Sequence, residues 1–314
     1  MKDLTFEDFI GNEKALEKLE LLTHEAESNV DARIPDMAFL GPSGYGKTTL
    51  AHILANHLKR KLLVINSTIV KDPFQFRHLI IELFTNNKDG SLILLDECHV
   101  LPKKIQDNLL TATEHPRCLQ TSHKDQTFSE SLPENCSFIF ATTHSGQLKH
   151  ALLSRLETIE LLPYTVPEHM KMALGYLKRK HNIDKADLSP EILIEIAKRA
   201  RHGRQVVQFC DTIIKYMKKE KLPKLTIESV EKCFNILDVD RNGLSRIDRI
   251  MLGHLSTLQS CAGLDTLEAI MPCSKQQIKD QIEPFLLKRG FISRTSSGRM
   301  ITAKGRTAIK EVSK

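Results

Sequence analysis

Met37–Leu58 reads MAFLGPSGYGKTTLAHILANHL, and its three parts decide the fold. Met37–Leu40 is an apolar run of strand length. Gly41–Thr48 is a turn with glycines at 41, 44 and 46. From Thr48 onward, apolar residues recur at Leu50, Ile53, Leu54 and Leu58, the spacing of one helix face. A buried strand that turns through glycines into a helix is the setting of a phosphate-binding P-loop. Gly41, Gly46, Lys47 and Thr48 fit its G-x-x-x-x-G-K-[ST] pattern, with Gly44 inside the loop. The glycines let backbone N–H groups point inward around phosphates. Lys47 brings a positive charge to the β/γ-phosphates, and the Thr48 hydroxyl can ligate Mg²⁺. The following helix adds its positive N-terminal end. The stretch predicts ATP binding.

Further apolar runs of strand length lie at Leu62–Ile65, Ser91–Leu95 and Ser137–Ala141, with helical segments between them. Strands alternating with helices predict an α/β fold with a largely parallel sheet. The run LILLDECH, Leu92–His99, ends in Asp96 and Glu97. A carboxylate at the end of a buried strand can hold Mg²⁺ through water, and the next can orient or deprotonate the attacking water. FATTHSG, Phe140–Gly146, ends a third strand, where Thr142 and Thr143 could bring a hydroxyl near the γ-phosphate. DECH also mimics the DExH signature of superfamily 2 helicases. Those need a second RecA-like domain, which the rest of this chain does not supply.

Beyond Thr165 the pattern is helical, with helices predicted over Glu168–Lys180, Pro190–Arg201, Gln205–Lys218 and Ile227–Leu237. Asp238–Asn242 reads as a polar linker. Ser245–Leu258, Leu264–Ile270 and Lys275–Arg289 then read as helices, and Phe291–Thr295 with Arg299–Thr302 as a hairpin turning at Ser296–Gly298. Three helices and a hairpin are the layout of a winged helix. The expected domains are an ATPase domain over 1–164, a helical lid over 165–237 and a winged-helix DNA-binding domain over 238–314.

The bulk properties agree. At 314 residues the chain has room for two or three domains. Its net charge is +6, and 13 Lys/Arg against 8 Asp/Glu after residue 237 place nearly all the excess in the last quarter, which points to a polyanionic partner. No apolar run is long enough to span a bilayer, and Met1–Phe9 lacks the apolar stretch of a signal peptide, so a cytoplasmic protein with no membrane partner is expected. Seven scattered cysteines without a CxxC pair argue against disulfides and zinc. Asp238-Val-Asp240-Arg-Asn242-Gly243 imitates a calcium loop, but Arg249 stands where the bidentate Glu belongs. The histidines, among them His99, His115, His123 and His144, show no metal spacing, and solvated or structural roles are expected.

In this order the motifs resemble the AAA+ ATPases, and within them the RuvB family of Holliday-junction branch-migration motors. FEDFIGNEKALEKL, GPSGYGKTTLAHILAN and ATTHSGQLKHALLSRL are similar to the family's N-terminal, P-loop and sensor segments. DVDRNGLSRIDRIML, GLDTLEAI and IEPFLLKRGFISRTSSGRMIT are similar to its winged helix. The resemblance implies that Gly46, Lys47, Thr48 and Thr49 bind phosphates and Mg²⁺, with Ile10 and Tyr164 beside the nucleotide. It implies that Asp96 and Glu97 form the Walker B pair, with Glu97 as general base. Thr143 would be sensor 1, and Arg155 the arginine finger of a ring, by analogy a homo-hexamer. Arg294 and Arg299, flanking a Ser-Ser-Gly turn, would contact DNA phosphates of the junction arms.

Some positions depart from the family. Leu153 stands where a first finger arginine is usual, and Ser297 where the wing carries an extra arginine. Sensor 2 falls on Arg204 or Gln205, and Arg204 is taken here. The hairpin that would dock a RuvA-like partner, Cys118–Ser131, is polar. Two other classes stay open on the sequence: a clamp-loader-like or remodelling ATPase, and a non-catalytic, ATP-gated DNA-binding scaffold.

Overall fold

Leu92–Leu95 and Phe138–Ala141 are apolar without alternation because both faces of their strands are covered. They form the middle of a parallel sheet in a computed structural model that describes residues 4–29, 31–85, 90–123, 126–183, 188–258 and 260–312. The chain separates into two compact units, Met1–Tyr164 and Thr165–Lys314.

In the first unit the described elements run α1 (Glu13–Ser28), β1 (Met37–Leu40), α2 (Lys47–His57), β2 (Lys61–Asn66), α3 (Pro73–Thr85), β3 (Ser91–Asp96), α4 (Lys103–Thr113), β4 (Cys118–His123), β5 (Gln126–Ser131), β6 (Ser137–Thr142), α5 (His150–Leu153) and β7 (Glu157–Glu160). The main sheet has the order β2-β3-β6-β1-β7, and its pairs are parallel. Register brings strand ends together: Leu40 pairs with Thr142, and Leu95 with Phe140. The C-terminal ends of β1, β3 and β6 therefore share one edge, where ligands of open α/β sheets bind. The core includes Ile93, Leu95, Phe138 and Phe140. β7 was not expected from the sequence. It lies at the sheet margin, pairs with β1 and buries Ile159 while leaving Glu160 exposed.

β4 and β5 form a separate antiparallel hairpin. Lys124 and Asp125 of the predicted docking hairpin lie outside the described residues. A buried ion pair fixes its base. Arg117 Nη2 donates to both Asp36 oxygens at 2.9 and 3.0 Å, and Phe138 N donates to Asp36 Oδ1 at 2.7 Å. The hairpin's Phe128 packs edge-on against Phe74 of α3, and Arg77 lies over the Phe128 ring.

The second unit begins with α6 (Val166–His181), α7 (Pro190–Arg199), α8 (Gly203–Lys219) and α9 (Ile227–Ile236), packed around Ala173, Ile196, Val206, Ile213 and Phe234. Thr165 and Glu168 start α6 with a reciprocal capping box. A second core, with Leu244, Leu252, Leu267, Ile282 and Leu286, gathers α10 (Arg246–Thr257), α11 (Leu264–Ile270), α12 (Lys275–Gln277), α13 (Glu283–Lys288), the hairpin β8 (Ile292–Thr295) and β9 (Gly298–Ile301), and α14 (Ala303–Val312). The single helix expected over Lys275–Arg289 is interrupted by a π-helical turn, Ile278–Ile282. Pro284 cannot donate the helical bond one turn back, and the turn before it widens.

The expected linker Asp238–Asn242 is pinned to both cores. Asp240 Oδ1 accepts from the N–H groups of Asn242 and Leu244 at 2.9 and 2.8 Å, so the calcium-loop look-alike is an Asx turn. Gly243 lies against the backbone of Arg199, where a Cβ would meet the Arg199 carbonyl at 2.8 Å. The wholly buried Arg199 guanidinium contacts Glu195 and Glu231 at 3.0 and 2.7 Å and stacks over Phe234. Arg201 reaches the buried Asp248 of α10 and lies over the Phe285 ring.

His202 caps α8, its Nδ1 accepting from Gln205 N at 3.2 Å. Burial, with Arg204 and Arg201 nearby, pushes its pKa down to about 4. Protonation would turn this acceptor into a donor and undo the cap. A histidine depressed in the fold is protonated first in the unfolded chain. Its contribution is therefore complete above pH 6.5 and is lost as pH falls toward 4, by about 3 kcal/mol at most. Asparagine caps without titrating. Urea unfolding from pH 7 to 4 should therefore show a shallower loss of stability in His202→Asn than in the wild type.

Candidate functional site

The P-loop connects the end of β1 to α2. Gly46 has φ 92°, and a Cβ there would lie 2.9 Å from the Phe9 ring and 3.0 Å from the Tyr164 hydroxyl. A side chain at 46 is thus excluded by conformation and by space. Lys47 opens α2 and is almost wholly buried. Its ammonium donates to the carbonyls of Gly41 at 2.7 Å and Pro42 at 3.1 Å, folded back over the loop. Thr48 and Thr49 follow in the first helical turn, both half-buried.

Thr48 Oγ1 donates to Asp96 Oδ2 at 3.2 Å, joining the start of α2 to the end of β3. A hydroxyl and a carboxylate brought together from 48 residues apart are the hard oxygen donors that Mg²⁺ takes, so the residues present fit that ion. The next residue, Glu97, has φ 51°, a left-handed conformation that is costly for a side chain of this kind. The turn carries its carboxylate across to β6, where Thr143 Oγ1 donates to Glu97 Oε2 at 3.2 Å.

Two histidines that sequence reasoning set aside stand beside this pair. His99 Nδ1 lies 3.1 Å from Thr142 Oγ1 and 3.4 Å from Glu97 Oε2. His144 Nδ1 lies 2.8 Å from Thr143 Oγ1, and the two imidazole rings are 4.9 Å apart. The available signal was adjacency: each follows a motif residue by one or two positions, on strand ends that the fold brings together.

On the N-terminal side, Phe9 packs beside Gly46, and half-buried Ile10 follows it. Asn12 Oδ1 accepts from Leu162 N at 2.6 Å and ties this segment to the chain after β7. The Tyr164 hydroxyl donates to the Tyr45 carbonyl at 2.8 Å, which places Tyr164 directly against the P-loop.

On the wing, Arg294 and Arg299 are cross-strand partners with different surroundings. The Arg294 side chain is 66% exposed, with its Nε 3.9 Å from Glu283 Oε1. Arg299 is buried, donating from Nε and Nη2 to the two oxygens of Glu283 at 3.1 and 2.7 Å. The sequence expects Arg299 to contact DNA phosphates; in the fold its guanidinium fork is engaged by the Glu283 carboxylate.

Residues 1–162 match the family model described as the Holliday junction DNA helicase RuvB P-loop domain, and residues 241–310 match that of the RuvB C-terminal winged helix domain. The chain belongs to the RuvB family. The Holliday junction branch migration complex subunit RuvB of Christiangramia forsetii is 29% identical over 308 residues, covering 96% of this chain and 87% of that protein. The subunit of the same name from Neorickettsia sennetsu is 27% identical over 311 residues, covering 97% and 91%. Among solved structures, the Thermotoga maritima RuvB Holliday junction branch migration motor is similar with a TM-score of 0.83 at 26% identity, covering 98% of this chain and 97% of that one.

Within this RuvB-family chain the remaining predicted residues are spread more widely. Arg155 follows α5, and its guanidinium is about one-third exposed. Its Nε donates to Glu114 Oε1 at 2.7 Å, at the end of α4. Arg204 and Gln205 lie in the first turn of α8, in the second unit. Arg204 is exposed, whereas Gln205 Oε1 accepts from Arg201 N at 2.8 Å. Among the described residues no helix is long and apolar enough to cross a membrane.

Proposed function

We propose that this chain is an ATP-driven DNA motor of the RuvB type, which moves the arms of four-way junctions while assembled as a homo-hexameric ring in the cytoplasm. The observation that carries the reading is the convergence of two pairs beside the P-loop, Thr48 with Asp96 and Thr143 with Glu97, in a chain whose last helices and hairpin match a RuvB winged helix. In this reading 1–164 is the ATPase domain, 165–237 the lid and 238–314 the DNA-binding domain.

The glycines at 41, 44 and 46 let backbone N–H groups face the phosphates of ATP, and Lys47 leaves its carbonyl partners for the β/γ-phosphates. Thr48 directly and Asp96 through water would hold Mg²⁺, which when bound neutralises charge on the phosphate oxygens. Ile10 and Tyr164 flank the nucleotide, and Thr49 adds a hydroxyl to the phosphate end. Glu97 takes the proton of the attacking water, and Thr143, as sensor 1, stands beside that water and the γ-phosphate. Arg155 reaches into the neighbouring subunit's site and makes hydrolysis depend on the ring. Arg204 serves as sensor 2, and its exposure at the start of α8 supports that choice. Arg294 supplies the wing's contact with DNA phosphates, a contact that rewards charge without reading sequence. A RuvA-like junction-binding protein is the partner, meeting the hairpin β4–β5.

The test is ATP hydrolysis by the wild-type chain with and without four-way junction DNA, together with movement of a labelled junction. Hydrolysis stimulated by the junction and accompanied by arm exchange is expected. Hydrolysis that DNA does not change would count against the motor, and hydrolysis without junction movement would point to a remodelling or clamp-loading ATPase.

A further inference from the structure

The protons behind Glu97 can be counted. Thr143 Oγ1 has one hydrogen and two polar neighbours, Glu97 Oε2 at 3.2 Å and His144 Nδ1 at 2.8 Å. An ionised carboxylate only accepts, so the contact with Glu97 requires that Thr143 donate to it. Thr143 must then accept from His144, whose Nδ1 must carry the ring proton. In the other neutral tautomer Thr143 would give its hydrogen to a bare Nδ1 and face Glu97 with lone pairs.

The residue is also held through its backbone. His144 N donates to Thr142 Oγ1 at 3.0 Å, which anchors the residue to the end of β6. The same Thr142 hydroxyl lies 3.1 Å from His99 Nδ1, and that nitrogen is 3.4 Å from Glu97 Oε2. Two threonines and two histidines thus alternate in a chain of contacts that starts and ends on one carboxylate oxygen, touched by Thr143 and by His99.

We propose that His144 is a positioning residue: its Nδ1 proton turns the Thr143 hydroxyl onto Glu97 and so sets the direction of the proposed general base. The proposal rests on the ATP-hydrolysing reading of this site. It assigns His144 no contact with nucleotide.

Asparagine can place an N–H at the branch position of Nδ1, glutamine carries its amide one carbon further, and leucine has no donor. His144→Leu and His144→Gln should lower kcat about 10-fold, because a misdirected base loses its near-attack geometry. His144→Asn should stay within about 3-fold of wild type, since it restores the donor where it is used. KM and the Kd of a fluorescent ATP analogue should be unchanged in all three. Equal kcat across all variants and wild type, an equal loss in all three, or a fall in nucleotide affinity that tracks the loss of kcat would each overturn the proposal. A second measurement does not depend on turnover. In nucleotide-free protein with ¹⁵N-labelled histidine, the His144 signals, identified by their loss in His144→Asn, should show the proton on Nδ1. A bare Nδ1 would overturn the proposal. A wild type that binds nucleotide and hydrolyses none would count against the proposed function, and the nitrogen spectrum would still decide the role of His144.

Discussion

Replacing Arg155 with alanine is expected to lower ATP turnover by about 10³–10⁵-fold while leaving nucleotide binding intact, the effect of withdrawing a guanidinium that reaches the γ-phosphate in the transition state. In the isolated chain that guanidinium is held by Glu114 and the Ala151 carbonyl, on the segment after α5. Its counter-ion is half exposed, so the pair is weak enough to be exchanged for a phosphate. The decisive form of the experiment mixes two inactive chains, Arg155→Ala and Lys47→Ala. Each lacks one half of a composite site and supplies the other, so hydrolysis should reappear on mixing if the arginine acts between subunits. Steady-state phosphate release reads the result, and a mixture no more active than its components would sink the trans assignment.

Glu97→Gln comes next in size, with an expected loss of about 10²–10⁴-fold in kcat, the usual contribution of a general base. The amide keeps the shape of the side chain and an oxygen for Thr143, so binding should survive and ATP should remain uncleaved in the site. Single-turnover hydrolysis with a parallel nucleotide-binding measurement separates the two effects. Loss of binding together with loss of turnover would show that Glu97 supports the fold of the site instead of the chemistry.

The parts of this site that can be read in the sequence are those for which burial and function ask for the same residues. Leu92–Leu95 must be apolar to cross the centre of the sheet, and the first polar residues after it, Asp96 and Glu97, therefore announce the strand's end. Gly46 is legible because no other residue fits against Phe9 and Tyr164. β7 was missed because a marginal strand needs to bury little, and Glu157-Thr-Ile-Glu160 has a single buried position. His99 and His144 carry no motif of their own; only the pairing of β3 with β6 makes them neighbours. Arg299 shows the opposite limit. A basic residue on a hairpin looks like a polyanion contact until the fold supplies Glu283, sixteen residues earlier, as its partner.

That inward arginine has a mechanical meaning. Arg299 is fastened to α13 through Glu283, and its backbone exchanges two hydrogen bonds of 2.9 Å with Ala262, while Gly298 sits too close to Ala262 for any side chain. A hairpin held next to its turn in this way has little freedom to bend when that end is pulled. Load applied at Arg294 would pass into the helices behind it, so the wing would behave as a stiff gear tooth and deliver displacement to its track with little slack.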